Sequence, residues 1–188
     1  MDYVSLSNLP PVKFWGLDPL HRCSIKLFIK QINNLPQVQG FQGVFVLHGH
    51  PITRFEVLGC IVSKHLTNHF IKYAVDDGTG VISCCLWLNE NLPSVLCSYN
   101  LGDLVSVTGK LQIFRDEREI RVERLSNFQS LIIILIFTYF YGYTFLIYCN
   151  QALEEDLNIE YFHWSQIINF QEIYKAKFVI PTDNLNEQ

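Results

Sequence analysis

The sequence predicts a mainly β protein whose centre is a small closed barrel of five strands. Alternation of apolar and polar residues, which is typical of half-buried strands, recurs five times between Ile52 and Leu125. The first of these runs is long and contains Gly59, a residue type that lets a strand bend sharply. A bent first strand can pair on two sides at once. Five short strands with this feature favour an oligonucleotide-binding (OB) barrel, here with a helix before it and a helix after it.

The five predicted strands are separated by short connections. They cover 55–67, 70–76, 81–88, 104–114 and 117–125, within a predicted OB domain at 51–125. The second and third are joined by Asp76-Asp77-Gly78-Thr79-Gly80, and the last two by Arg115-Asp116 alone. Gly takes positive φ without steric cost and Asp bonds its own backbone, so the first connection predicts a hairpin.

The first 50 residues are predicted to form an N-terminal extension with a helix at about 18–35. Asp18 can cap this helix, Pro19 suits its first turn, and Pro36 would end it. Apolar residues between them recur mostly every three or four positions. A short apolar run at 41–47 is expected to pad the barrel or to pair at its edge.

The net charge and the cysteine content of the chain limit the functions that the sequence supports. The net charge is −4, so any binding of nucleic acid must depend on local placement of cations and on stacking. The six cysteines form no C-x-x-C pair and lie mostly in apolar runs, which indicates a reducing compartment and no zinc site. We interpret His48-Gly49-His50 as a polar loop before Pro51, and we expect neither a metal nor a cofactor.

The outward side of the predicted strands carries aromatic and cationic residues together. By alternation, Trp87 and Phe114 point away from the core, on the same face as Lys72 and Lys110. Bases of a single strand stack on aromatic rings while cations follow the phosphates, so this face predicts single-strand binding, with the two rings side by side. The alternative is that the two rings pack beneath a helix or loop.

Arginines at the predicted last hairpin add charge to the rim of this face. Arg115 and Arg118 lie nearest the turn and are predicted phosphate contacts. Four arginines alternate here with four acids between positions 115 and 124, so mutual pairing across the hairpin is the alternative.

Five short motifs occur in a fixed order along the chain. They are Phe14-Trp15-Gly16-Leu17-Asp18-Pro19, Gly49-His50-Pro51-Ile52, Val57-Leu58-Gly59, Tyr73-Ala74-Val75-Asp76-Asp77-Gly78-Thr79-Gly80-Val81-Ile82 and Arg115-Asp116-Glu117-Arg118-Glu119-Ile120. In order and spacing, these motifs resemble the Stn subunit of the CST (Ctc–Stn–Ten) telomere complex. That family is similar in turn to the middle subunit of replication protein A.

The resemblance implies an OB-fold protein that binds single-stranded telomeric DNA and protects chromosome ends in the nucleus. It implies a Ten-type small OB-fold subunit and a Ctc-type large subunit as partners, and assistance to polymerase α–primase during fill-in of the complementary strand. In the replication protein A relative, stacking aromatics fall at the places of Trp87 and Phe114.

The C-terminal part, 152–188, is predicted to contain a helix at 158–175 with a broad aromatic and aliphatic stripe. By resemblance this helix docks against the Ten-type subunit, through Trp164, Ile167, Ile168 and Tyr174. Packing of the same helix across the end of the barrel is the alternative.

Residues 126–151 form an apolar insertion whose segment 130–149 carries no charge over about the length of a bilayer crossing. Three interpretations stay open: translation of a retained intron or a gene-model error, a transmembrane segment that would place the protein in a membrane, and a buried insertion.

The sequence shows no nucleophile series, phosphate loop or metal cluster, so we expect no enzymatic activity. The other function classes that remain are a replication protein A-like or tRNA-binding OB module and a single-pass membrane protein with a β-domain.

Overall fold

The computed structural model describes residues 3–88, 99–127 and 159–179. In these ranges the strands are β1 Tyr3–Val4, β2 Ser24–Lys26, β3 Gln37–Val38, β4 Phe45–Leu47, β5 His50–Ile52, β6 Arg54–Leu66, β7 Phe70–Asp76, β8 Val81–Trp87, β9 Leu104–Phe114 and β10 Glu117–Asn127. The α-helices are α1 Pro19–Arg22, α2 Ile29–Asn34 and α3 Ile159–Tyr174, and two 3-10 helices cover Leu6–Asn8 and Val12–Leu17.

Strands β6 to β10 close into a barrel. Their order is β6-β7-β8-β10-β9, and β9 pairs back onto β6, so this set has no free edge. Neighbouring strands are antiparallel except β8 and β10, which are parallel. The predicted mainly β fold with a five-stranded OB barrel is confirmed.

Two glycines allow the barrel to close tightly. Directly after Gly59, at Cys60, the long strand β6 passes from pairing with β9 to pairing with β7. A Cβ atom at Gly59 would overlap the carbonyl oxygen of Asp76, and one at Gly109 would overlap the carbonyl oxygen of Arg121. Both positions therefore need glycine for close approach of the backbones.

The barrel core follows the predicted alternation. Inward side chains from β7, β8 and β9 are buried, and they include Ile71, Tyr73, Val75, Ile82, Cys84, Leu86, Val105, Val107 and Leu111. The same cluster contains residues from the first 50 positions, among them Ile25, Ile29, Ile32 and Phe45. The N-terminal segment is therefore part of the core of the barrel.

The predicted helix at 18–35 is wrong. Asp18 does cap α1, with its carboxylate accepting from the N–H of Leu20 at 2.9 Å, and Pro19 is in the first turn, but α1 ends at Arg22. The chain then forms β2, which pairs parallel to the start of β6, before α2 begins. The pairing buries Ile25 completely. Burial beside the barrel thus overrides the local helical pattern.

The Asp-Asp-Gly-Thr-Gly connection between β7 and β8 holds the start of α2. One carboxylate oxygen of Asp77 accepts from the N–H of Ile29 at 2.8 Å, and the Thr79 hydroxyl accepts from the N–H of Lys30 at 3.2 Å. The other oxygen of Asp77 accepts from Thr79 and Gly80 within the loop. This motif therefore supplies the N-terminal cap of a helix 48 positions away.

Four short strands of the N-terminal segment form a small second sheet, in the order β1-β3-β4-β5. His48 and Gly49 form the turn between β4 and β5 with positive φ, at 50° and 89°. His50 follows in β5 and is buried, which differs from the polar loop expected for this stretch.

Within 3–88, 99–127 and 159–179, no helix has the length and apolarity that crossing a bilayer requires. Of the predicted apolar insertion at 126–151, positions 128–151 lie outside the described residues.

Candidate nucleic-acid interface

The outer face of the barrel carries an aromatic pair where β7 begins and β8 ends. Trp87 is 50% exposed, and its ring centroid lies 5.5 Å from that of Phe70. The two residues are direct partners across the β7–β8 pair, which explains why their rings meet. The pair offers a broad apolar surface to solvent.

A third ring stands at the hairpin between β9 and β10. Phe114 is 52% exposed, and the guanidinium carbon of Arg115 lies 5.2 Å from its ring centroid. Arg115 and Asp116 both have positive φ, 52° and 64°, as a two-residue hairpin turn that matches the twist of the strands requires. The turn therefore places a cation over one side of an exposed ring.

Trp87 and Phe114 are not side by side, contrary to the prediction. Phe114 on β9 pairs with Glu117 on β10. Two positions further along β10, Glu119 pairs with Ser83 on β8. Because β8 and β10 are parallel, Phe114 is level with Val81 on β8. Trp87 lies six positions further along that strand. At about 3.3 Å per residue the two rings are on the order of 20 Å apart, at opposite ends of the face.

Lys72 forms an ion pair with Glu119 on this outer face. Its Nζ atom lies 3.2 Å from one carboxylate oxygen of Glu119, and the other oxygen of Glu119 accepts from the side-chain amide of Gln112 at 2.6 Å. Glu119 is buried, and the ion pair with Lys72 partly neutralises the charges of both side chains. Lys110 is more exposed, with 52% of its side chain accessible and a carboxylate oxygen of Glu123 at 3.9 Å.

The thiol of Cys85 lies on this outer side but is buried. Burial raises the pKa of the Cys85 thiol, with the Glu119 carboxylate acting in the same direction and Lys72 and Arg121 against it. The neutral thiol therefore acts as a small apolar group at the centre of the face.

Arg118 does not face solvent as the predicted phosphate contact. Its guanidinium donates to the carbonyl of Ile32 at 2.6 Å and to the carbonyl of Leu35, at the end of α2. It also lies over the ring of Phe45. Arg118 thus ties α2 to the barrel, and the prediction for this residue is corrected.

The predicted partner residues lie on two different sides of helix α3. Ile167 and Tyr174, at 1% and 5% exposure, are buried. The Tyr174 hydroxyl accepts from the N–H of Lys26 in β2, and Tyr174 belongs to the barrel core. Their spacing of seven puts both on the inner side of the helix, so the prediction of these two as partner contacts is wrong.

The other side of α3 is open. Ile168 is exposed, and Trp164 is half-buried between the rings of Phe28 and Tyr161. Three further residues on this side, which are Tyr161, Phe162 and Ile173, are exposed and lie outside the predicted partner set. The exposed stripe could have been found only by knowing which side packs on β2.

The closed barrel with one parallel strand pair, β8 beside β10, defines an OB-fold protein. A sequence model described as "Telomere regulation protein Stn1" matches residues 20–132, which is more than half of the chain. The chain belongs to the Stn1 family of telomere regulation proteins.

Curated relatives support this assignment. The chain is 35% identical over 137 residues to the CST complex subunit STN1 of Ailuropoda melanoleuca, covering 60% of this chain and 37% of that protein. The chain thus spans little more than a third of the length of this relative.

Solved structures share the fold. The chain is similar to a chain of the S. pombe Stn1-Ten1 complex, with a TM-score of 0.60, 17% identity, and coverage of 81% of this chain and 94% of that one. It is also similar to a chain of a replication protein A heterotrimer bound to single-stranded DNA, with a TM-score of 0.50, 21% identity, and coverage of 60% and 88%.

Proposed function

We propose that this chain is a non-catalytic, single-stranded DNA-binding subunit of a CST-type complex that acts at telomeres in the nucleus. Membership of the Stn1 family supports the telomeric role. The outer face of the barrel supports the binding of a single strand, because exposed rings lie at both of its ends. An extended strand crossing this face would meet Phe114 at one end and the Trp87–Phe70 pair at the other.

The observation that carries this proposal is the exposure of Trp87 and Phe114 on one face. About half of each side chain is open to solvent, although burial of either ring would stabilise the fold. Stacking of a base on an aromatic ring contributes about 1–3 kcal/mol per base and tolerates any sequence. The exposed rings are therefore best explained by a ligand that stacks on them.

Equilibrium binding of a G-rich single strand tests the proposal. Trp87→Ala and Phe114→Ala should each weaken binding by at least about fivefold, which corresponds to about 1 kcal/mol. Tyr161→Ala, which removes an equally exposed ring from α3, is the matched control and should leave the affinity unchanged. Equal affinity of all four proteins would refute the stacking role.

We also propose that the exposed side of α3 binds a Ten-type OB-fold subunit. This surface consists of Tyr161, Phe162, Trp164, Ile168 and Ile173. Four of these side chains are more than half exposed, which is unusual for large apolar residues on one short helix. The S. pombe relative forms a complex with Ten1.

Binding of the Ten-type partner can be separated from DNA binding. Ile168→Asp should abolish capture of a Ten-type subunit because a carboxylate would be buried without a partner. Trp87→Ala should leave this capture intact. Loss of capture in both variants, or in neither, would refute the assignment of the surface to α3.

The proposal extends to a Ctc-type large subunit and to assistance of polymerase α–primase during fill-in synthesis. A replication protein A-like module is the second candidate, which the similar fold of the replication protein A chain favours. Affinity capture from nuclear extract distinguishes the two. Ctc- and Ten-type subunits in the captured material support the first role, and the large and small replication protein A subunits support the second.

A further inference from the structure

A row of cations crosses the barrel at right angles to its strands. Arg54 on β6 pairs with Lys110 on β9, and Lys110 pairs with Arg121 on β10. Arg121 is level with Cys85 on β8, whose partner on β7 is Lys72. Neighbouring strands lie about 4.8 Å apart, so the row forms a cationic track between the two exposed aromatic sites.

The track leads off the face into a groove beside the N-terminal segment. The groove has a volume of about 490 Å³ and is lined by four cationic side chains, Arg22, Arg54, Lys110 and Arg121. Gln42, Gly43 and Val44, which lie just before β4, form part of its wall. We call this cavity the N-terminal groove.

The positive charge of the N-terminal groove is largely uncompensated by acidic side chains of the described residues. Glu123 is the described acid that pairs with these cations, with one oxygen 3.0 Å from Arg54 Nε and the other 3.9 Å from Lys110 Nζ. All three side chains are about 40–50% exposed, so these ion pairs are weak and can exchange for another anion. Arg22 and Arg121 are exposed and form no ion pair with a described residue. Four cations thus face one carboxylate, in a chain whose net charge is −4.

We propose that the N-terminal groove binds the sugar–phosphate backbone of a single strand that continues past the barrel face. This inference rests on the proposed function. Three of the four cations are arginines, whose planar guanidinium matches phosphate oxygens in a two-pronged contact. The described lining contains no Trp, Tyr or Phe, so the groove binds phosphates and leaves stacking to the barrel face. An acidic peptide would explain the charge but not the continuity of the groove with the cationic track.

The dependence of affinity on strand length tests this inference in the full chain. Binding is measured by fluorescence anisotropy with oligonucleotides of about 6 and about 16 nucleotides over a range of salt concentrations. In wild type the longer strand should bind more tightly and with a steeper salt dependence. The double variant Arg22→Gln/Arg54→Gln should bind the longer strand roughly tenfold more weakly, with a salt slope lower by about 1.4, and the shorter strand as wild type does.

Two further variants sharpen the test. Glu123→Gln removes the competing carboxylate and should raise affinity for the longer strand by roughly threefold. Lys30→Gln removes an exposed cation of α2 outside the groove and should change neither strand.

The outcomes separate this inference from the proposed function. If wild type binds both strands but the groove variants behave like wild type, the groove inference is overturned and the DNA-binding function stands. If Lys30→Gln weakens binding as much as the groove variants do, the effect is one of overall charge, and the inference is again overturned. If wild type binds neither strand, both fall.

Discussion

The imidazole Nδ1 of His50 lies 2.6 Å from the Oδ2 atom of Asp18, and both side chains are at most 5% exposed. The other carboxylate oxygen of Asp18 caps α1. The Nε2 atom of His50 lies 2.7 Å from the carbonyl oxygen of Ala176, two residues after the end of α3. One buried ring therefore joins the N-terminal segment, the small sheet and the end of the C-terminal helix.

Replacing His50 with alanine should lower the free energy of unfolding by about 2–4 kcal/mol, because it leaves the buried Asp18 carboxylate without this partner. Amide hydrogen exchange should also become faster in the last turn of α3. Urea unfolding and exchange mass spectrometry measure the two effects. His48→Asn, at an exposed turn position with positive φ that Asn tolerates, is the control and should change little.

Replacing Asp77 with alanine should lower the free energy of unfolding by about 2–3 kcal/mol. The carboxylate accepts hydrogen bonds from Ile29, Thr79 and Gly80, so its loss uncaps α2 and loosens the β7–β8 connection together. Asp76→Ala, which removes one bond to the N–H of Gly78, should cost less than about 1 kcal/mol. Equal costs for the two variants in urea unfolding would contradict the capping role.

An alanine at Gly109 should destabilise the barrel by about 3 kcal/mol or more, because its methyl group would overlap the backbone of β10 at Arg121. Gly16→Ala is a suitable comparison, since the nearest atom to its added Cβ is the mobile end of Arg22 at 3.8 Å. Thermal unfolding of both variants measures the difference. A Gly109 variant that melts like the Gly16 variant would show that the strands can separate at little cost.

Arg115 and Arg118 should differ in what they affect, although they lie three positions apart. Arg118→Ala should lower stability by about 2 kcal/mol, because the carbonyls of Ile32 and Leu35 lose a charged donor, and should leave DNA affinity intact. Arg115→Asn keeps a residue that tolerates positive φ and should weaken DNA binding while stability stays within about 0.5 kcal/mol. The reverse pattern would show that Arg118 is the phosphate contact.

Docking of α3 should weaken in mild acid because of His163. Burial and the nearby Lys26 ammonium lower the pKa of the His163 imidazole below its ordinary value, while Glu56 and Asp77 act against them. The unfolded chain therefore takes up this proton more readily. The stabilisation is fully present above about pH 6.5 and is lost as the pH falls from there toward the lower pKa of the folded state.

The His163→Phe variant isolates this contribution. Urea unfolding at about pH 7.5 and about pH 5.5 should show a smaller loss of stability on acidification for the variant than for wild type. His48→Asn, which removes an exposed histidine, should lose as much as wild type. An unchanged loss in His163→Phe would exclude His163 as the source.

The barrel strands were predictable because each is a local pattern. Alternation placed Tyr73 inside and Trp87 outside, and both placements hold. The helix at 18–35 failed because a three-residue strand, β2, is stabilised by pairing with β6 some 30 positions away, which local periodicity does not report. The spacing of apolar residues at 18–35 is compatible with one long helix and also with two short helices joined by a strand.

The candidate site was predictable in its residue types but not in its arrangement. Strand register decided that Phe114 and Trp87 lie at opposite ends of the face, and that Lys72 is matched with Glu119. Register also placed Arg54, Lys110 and Arg121 in one row, although they are distant in sequence. Alternation along β10 alone could have shown that Glu119 and Arg121 share the outer side.

The sequence by itself determined the OB barrel, the outward position of its aromatic rings and the family, since period-two alternation, turn residues and short motifs are all local features. Only the tertiary structure decided which side chains are free to bind a ligand or a partner. Arg118 is bound to the end of α2, and Ile167 and Tyr174 are buried against the barrel, while Ile168 is open. The physical reason is that availability depends on neighbours brought together by folding, and these neighbours are far away along the chain.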